Sequence, residues 1–231
     1  MCGRYVLKTS SLDLKKELHL DEVPALEARY NIAPMQAAPI VTSQAPRGLT
    51  IARWGLLPQW AKDTRIASKL INARAESLAI KPIFKDLLRN QRCLIPCDGF
   101  YEWKRDGRTH TPHYVHLAEG GLLTMAGLWS AWRSHEGLEV VTFTVVTTTA
   151  NPQVAALHDR MPVFLPGPRR QRWLAEDTDE ASLMRLLVPW AGPPLEEYQV
   201  SHLVNAVATD SPECVLPARV VQLDLFSTPK A

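Results

Sequence analysis

The chain has 231 residues, 46% of them hydrophobic and 22% charged, with a formal net charge of +2. That length suits one ordinary domain or two small ones, and the composition excludes a disordered chain, a coiled coil and a collagen-like repeat. The charge is uneven: residues 47–108 carry thirteen basic and six acidic side chains, net +7, against net 0 before them and −5 after them. A basic middle is compatible with a positive face for a polyanion, or with a solvated surface on which the fold mixes the signs.

Taken in chain order, Ser10 and Ser11 open a helix over LDLKKELHL, with Leu14 and Leu18 spaced for one face. Arg29–Pro34 reads as irregular, and the segments around API-V-T and LTIARWGLL read as strands. Residues 76–90 have helical spacing interrupted at Pro82. RCLIPCDGFYEWKR, HTPHYVHLA, LLTMAGLWSAWR and LEVVTFTVVTTT are β-rich at hairpin spacing, parted by Asp106-Gly107, Gly120-Gly121 and Glu136-Gly137. Asn151 caps a short helix with Pro152 at its first position, and Asp177 with Glu180 resembles a capping box. Few helices and consecutive strands predict an α+β domain on a mainly antiparallel sheet or barrel-like core with peripheral helices, spanning 1–215 and followed by a tail, 216–231.

Cys2, Cys93, Cys97 and Cys214 fit no zinc spacing, and a chain this long needs no disulfides. No apolar core follows MCGRYVLKTS and no run of eighteen apolar residues exists, so neither a secretory signal nor a membrane span is expected. The expectation is a reduced, soluble, cytoplasmic protein.

Cys2 carries the most distinctive chemistry. Initiator methionine is normally trimmed before a small residue, which leaves an α-amine and a thiol on adjacent carbons. Their unperturbed pKa values, about 8 and about 8.5, make both available near neutrality. Such a 1,2-aminothiol condenses with an aldehyde to an imine and then closes to a thiazolidine. The bland alternative is a small buried residue at the start of a strand.

Three polar residues stand in apolar settings: Asn72 between Ile71 and Ala73, Glu102 between Tyr101 and Trp103, and His158 at the end of the short helix. Asn orients a carbonyl oxygen, a carboxyl among aromatics moves protons, and histidine changes charge near neutrality. Each equally suits a capped loop, a solvated strand or a satisfied core position. His110, His113 and His116 imitate a metal motif, but on a strand His113 points opposite to the other two, so they read as surface. No metal and no cofactor are expected.

Together MCGR, RYNIAP, WGLLPQW, INARAES, CLIPCDGFYEW, MAGLW and HDRMP resemble the SRAP (SOS response associated peptidase) family, in family order from Cys2 to about Asn205. The resemblance implies a sensor of abasic sites in single-stranded DNA that crosslinks to them and removes its own initiator methionine. Carried onto this chain, it implies Cys2 as nucleophile, Asn72 as the aldehyde-positioning residue, and Glu102 with His158 as the acid–base pair. It implies Arg4, Arg74 and Arg160 as DNA-backbone contacts, Trp60 and Pro34 as stacking and wedge positions, and Thr147 on a strand near the site. Where some relatives carry two adjacent tryptophans, Trp60 is followed by Ala61, so one stacking surface is missing. Imine formation by itself would permit β-elimination of the 3′ phosphate, so a strand-cleaving lyase side activity is expected, and the expected location is the cytoplasm in association with the nucleoid.

The tail reads Gln222-Leu223-Asp224-Leu225-Phe226, similar to the pentapeptide with which bacterial proteins dock on the DNA polymerase sliding clamp. There Gln222 would hydrogen-bond, and Leu223, Leu225 and Phe226 would fill apolar pockets. The same residues also suit a last strand by alternation. Two other classes stay open: an N-terminal-nucleophile amidohydrolase using the same Cys2 on a small amide, and a non-catalytic single-strand binding module.

Overall fold

The computed structural model describes residues 2–134 and 136–218. Twelve strands lie among them: β1 Tyr5–Leu7, β2 Arg29–Ile32, β3 Ala37–Thr42, β4 Ala45–Trp54, β5 Asn72–Arg74, β6 Arg92–Cys97, β7 Gly99–Asp106, β8 Thr109–Leu117, β9 Leu123–Arg133, β10 Glu139–Thr149, β11 Arg160–Pro162 and β12 Leu195–Gln199. The helices are α1 Ser11–Leu18, α2 Pro82–Asn90, α3 Pro152–Ala155, α4 Pro168–Leu174 and α5 Glu180–Leu186, with short 3-10 turns at Arg65–Lys69, Ala75–Ser77, His202–Asn205 and Pro212–Val215.

Pairings run β10–β4–β3–β6–β9 and back to β10, so five strands close a small barrel. Closure leaves no free edge among those five. Only the short β4–β10 pairing is parallel within the ring. At Gly127 on β9 a Cβ would lie 2.5 Å from Ile95, 2.8 Å from Cys93 Sγ and 2.9 Å from the Thr144 carbonyl. The wall there tolerates no side chain.

A second sheet, β12-β8-β7-β1-β2, is antiparallel throughout. Alternation gives it two buried faces. Tyr5 and Phe100 join the main core with Trp54, while Val6, Tyr101 and Tyr114 pack under Val200, Val204 and Cys214. The predicted fold class is therefore the observed one.

Local signals account for most helix ends. Ser10 accepts from the Asp13 N–H, Pro82 opens α2 after the 3-10 turn, and Asn151 accepts from the Val154 N–H. The capping pair of the last helix is Asp179 with Ser182, two residues beyond the one expected. Arg29–Ile32 is strand β2 rather than irregular, because β1 supplies a ladder that no local pattern announces. β5, β11 and β12 are three to five residues long and exist through pairing with β10 or β8. The chain stays attached past residue 215: Pro217 bridges Val200, and the Ala218 N–H donates to Gln199. The pentapeptide Gln222–Phe226 lies outside the described residues.

No helix among the described residues is long and apolar enough to cross a membrane. All four cysteines are buried and free. Among the described residues no three His, Cys, Asp or Glu side chains converge as metal ligands. His113 and His116 are half-buried rather than on the surface: His113 Nδ1 lies 2.5 Å from Glu197, and His116 stacks on Tyr114.

Candidate functional site around Cys2

The site forms where the two sheets meet. From the second sheet come β1, with Cys2 just before it, and β7, with Glu102; the Tyr101 N–H donates to the Arg4 carbonyl and extends their ladder toward the N-terminus. From the barrel comes β10, whose far half carries β5 on one edge and β11 on the other. In register, Thr147 faces Arg74 across one edge and Pro162 across the other, while Thr149 faces Arg160. Asn72 joins the halves: its Nδ2 donates to the Cys2 carbonyl at 2.8 Å.

Cys2 is fully buried, and its thiol donates weakly to the Arg4 carbonyl at 3.8 Å. Burial first, and the Glu102 carboxylate second, push the thiol pKa up to about 12. The sulfur in this state is a neutral thiol at pH 7. Glu102 itself is 3% exposed, a carboxyl withdrawn from water beside that thiol. Among the described residues Asn72 Oδ1 has no hydrogen-bond partner although it is buried. A buried acceptor without a donor is costly, so that atom is suited to a hydroxyl or amine arriving with substrate.

His158 ends the α3 segment and is half-buried. Its Nδ1 accepts the Arg160 N–H at 2.9 Å and lies 2.7 Å from Asp159 Oδ1. An Nδ1 that accepts the Arg160 N–H leaves the ring proton on Nε2.

Arg160 is buried and forms a bidentate pair with Glu76, at 2.7 and 3.0 Å. It also donates to the Thr147 carbonyl at 2.7 Å and lies 3.4 Å from Thr147 Oγ1. The guanidinium holds the Glu76 carboxyl below its ordinary pKa. Arg4 is held by Asn31 Oδ1 and the carbonyls of Val204 and Asn205. Arg74 is exposed at the end of β5. Pro34 begins the turn to Met35, which has φ +73°, and Trp60 is 65% exposed beside a hollow of about 280 Å³ formed with Lys62, Asp63 and Ile66.

The structure therefore gathers Cys2, Asn72 and Glu102 directly, and places Thr147 on β10 and Arg74, His158 and Arg160 on or beside the strands flanking it. Pro34 and Trp60 stand on separate loops. A larger cavity of about 910 Å³, lined by Leu18, Val41, Leu94 and Leu174 with Arg47 and Arg170, contains none of the predicted residues. The basic middle is partly spent on the fold. Arg92 is buried and donates to four carbonyls, and Arg47, Arg65 and Arg89 pair with acids. Sequence reasoning missed Glu76, Asn31 and Asp210, whose partners lie 84, up to 178 and up to 181 residues away. A lone Asn inside RYNIAP was the one available signal.

Residues 1–207 match the family model described as SOS response associated peptidase (SRAP). The abasic site processing protein YoqW of Bacillus subtilis is 41% identical over 221 residues, covering 93% of this chain and 99% of that protein. HMCES of Gallus gallus, also named an abasic site processing protein, is 30% identical, covering 81% and 66%. A solved protein from Bacteroides thetaiotaomicron superposes with a TM-score of 0.85 at 24% identity, covering 94% of this chain and all of that one. One from Bordetella bronchiseptica gives 0.75 at 26%, covering 87% and all of it.

Proposed function

The chain belongs to the SRAP family, and from that premise we propose that it processes abasic sites in single-stranded DNA by trapping the sugar aldehyde on Cys2. The observation that carries this reading is the Asn72–Cys2 carbonyl hydrogen bond beside the buried Glu102 carboxyl. It supports the reading because a buried acceptor, Asn72 Oδ1, and a buried carboxyl lie near the second residue of the chain.

The first step is hydrolysis of the Met1–Cys2 peptide bond, a self-processing thiol peptidase activity that exposes the Cys2 amine. The neighbouring ammonium then opposes burial and lowers the thiol pKa. The amine adds to the open-chain aldehyde, and water leaves as the imine forms. His158 donates to the ring oxygen as the sugar opens, Asn72 Oδ1 accepts from the freed hydroxyl, and Glu102 carries protons to and from the amine. The Cys2 sulfur then adds across the carbon–nitrogen bond, its proton passing to nitrogen, and the thiazolidine closes. Before closure the imine permits β-elimination of the 3′ phosphate, a lyase side reaction that ring closure suppresses. Arg4, Arg74 and Arg160 contact phosphates, Thr147 supports Arg160, Pro34 wedges and Trp60 stacks on a base. The tail residues Gln222, Leu223, Leu225 and Phe226 dock on the sliding clamp. A clamp pull-down lost on Phe226→Ala with crosslinking intact supports that docking.

Denaturing gel electrophoresis with a uracil-excised single-stranded oligonucleotide tests the central claim. A protein–DNA band that survives denaturation is expected for the wild type and is absent for Cys2→Ala. Equal bands overturn the assignment.

A further inference from the structure

Asn31 lies on β2, fully buried, between Arg4 and the last turn of the described chain. Its Oδ1 accepts from Arg4 Nη1 at 2.8 Å. Its Nδ2 faces three carbonyls, those of Val204 and Ala206 at 3.1 Å and Thr209 at 2.7 Å. Arg4 Nη1 donates in addition to the Val204 carbonyl at 2.7 Å, and Nη2 to that of Asn205 at 3.5 Å. Asp210 locks the arrangement from outside. Its Oδ1 accepts the N–H groups of Tyr30 at 2.5 Å and Asn31 at 2.9 Å, and its Oδ2 pairs with Arg29. The same turn reaches β7, because Trp103 Nε1 donates to Asn205 Oδ1 at 2.8 Å, next to Glu102.

Every oxygen that holds Arg4 is uncharged, and among the described residues no carboxylate pairs with it. Arg160, by contrast, is neutralised by Glu76. The Arg4 guanidinium is fixed in direction yet keeps its whole charge, two residues from the nucleophile. Only an amide does this. It offers an acceptor to the cation and donors to the carbonyls without adding charge. A carboxylate here would cancel the cation and face three carbonyls with no proton to share.

We propose that Asn31 is a positioning residue that, with Asp210 as its lock, presents Arg4 to the phosphate backbone at the site. The inference rests on the reading of Arg4 as a phosphate contact.

The test uses the full chain and an intact single-stranded oligonucleotide lacking an abasic site, with Kd measured by anisotropy across a salt series. Asn31→Asp is expected to weaken binding about five- to tenfold and to flatten the salt slope by about 0.7, as loss of one phosphate contact does. In an Arg4→Ala background the same change is expected to add nothing. Asp210→Asn, which keeps Asn31, serves where Asn31→Asp does not fold; it is expected to weaken binding in the same direction by about two- to threefold. If folded Asn31→Asp and Asp210→Asn lower Tm but leave Kd and slope unchanged, Asn31 is structural only and the proposal is overturned. If Arg4→Ala is itself silent, the phosphate reading of Arg4 fails and takes the proposal with it. Capture by Cys2 is judged separately on the denaturing gel.

Discussion

Cys2 enters its site as a thiol, because burial and the Glu102 charge hold its proton. In the proposed reaction the amine is therefore the first nucleophile, and the sulfur acts second. A Cys2→Ala chain lacking Met1 by intact mass keeps that amine. Borohydride should still trap its imine on abasic DNA, while the adduct stable without borohydride disappears. Glu102→Gln should slow capture about 10²- to 10⁴-fold, the range for one acid–base group, and leave affinity for intact strands within about twofold. Single-turnover kinetics at saturating DNA checks this. Glu76 occupies both forks of Arg160 in the geometry that a phosphate takes. Glu76→Gln should therefore bind intact single strands more tightly and with a steeper salt slope. Weaker binding would mean that the carboxylate instead aligns the guanidinium. Glu76 is more than half exposed, so its pair is worth little to stability, about 0–1 kcal/mol.

At the scale of elements, β10 is the organising strand. It closes the barrel with β9 and β4, then runs on to hold β5 and β11, so Asn72, Arg74 and Arg160 are aligned by one ladder. The rigidity of that ladder depends on close packing behind it at Gly127. Gly127→Ala would drive a methyl group into Cys93, Ile95 and the Thr144 carbonyl. It should destabilise the fold by about 1–3 kcal/mol, the usual cost of overpacking, seen as a lower denaturant midpoint. An unchanged midpoint would show that β9 yields there. The β-rich segments from Arg92 to Thr149 were legible because alternation and Gly turns mark them. β2, β5, β11 and β12 were not, since short strands borrow their hydrogen bonds from neighbours distant in sequence.

The whole molecule buries several groups that resist ionisation. Cys2, Cys93, Cys97 and Tyr5 all have pKa values raised by burial. A pKa higher in the folded state gives stability that is complete below the unfolded value and lost as pH rises toward the folded one. For the thiols that window opens near 9. Urea midpoints should hold between pH 7 and 8.5 and fall steeply toward pH 11. A flat profile across that window would contradict the burial of these thiols in solution.

The sequence by itself determined the α+β class, the helix caps at Ser10 and Asn151, and the identity of Cys2, Asn72, Glu102 and His158 as residues to watch. These rest on period, local caps and side-chain chemistry, which are properties of neighbours along the chain. Tertiary structure decided that Asn72 reaches the Cys2 carbonyl, that Glu76 neutralises Arg160, and that Asn31 leaves Arg4 charged. Those partners are separated by 70, 84 and 27 residues, and hydrogen bonds are directional over about 3 Å, so only the register of two sheets could bring them into line.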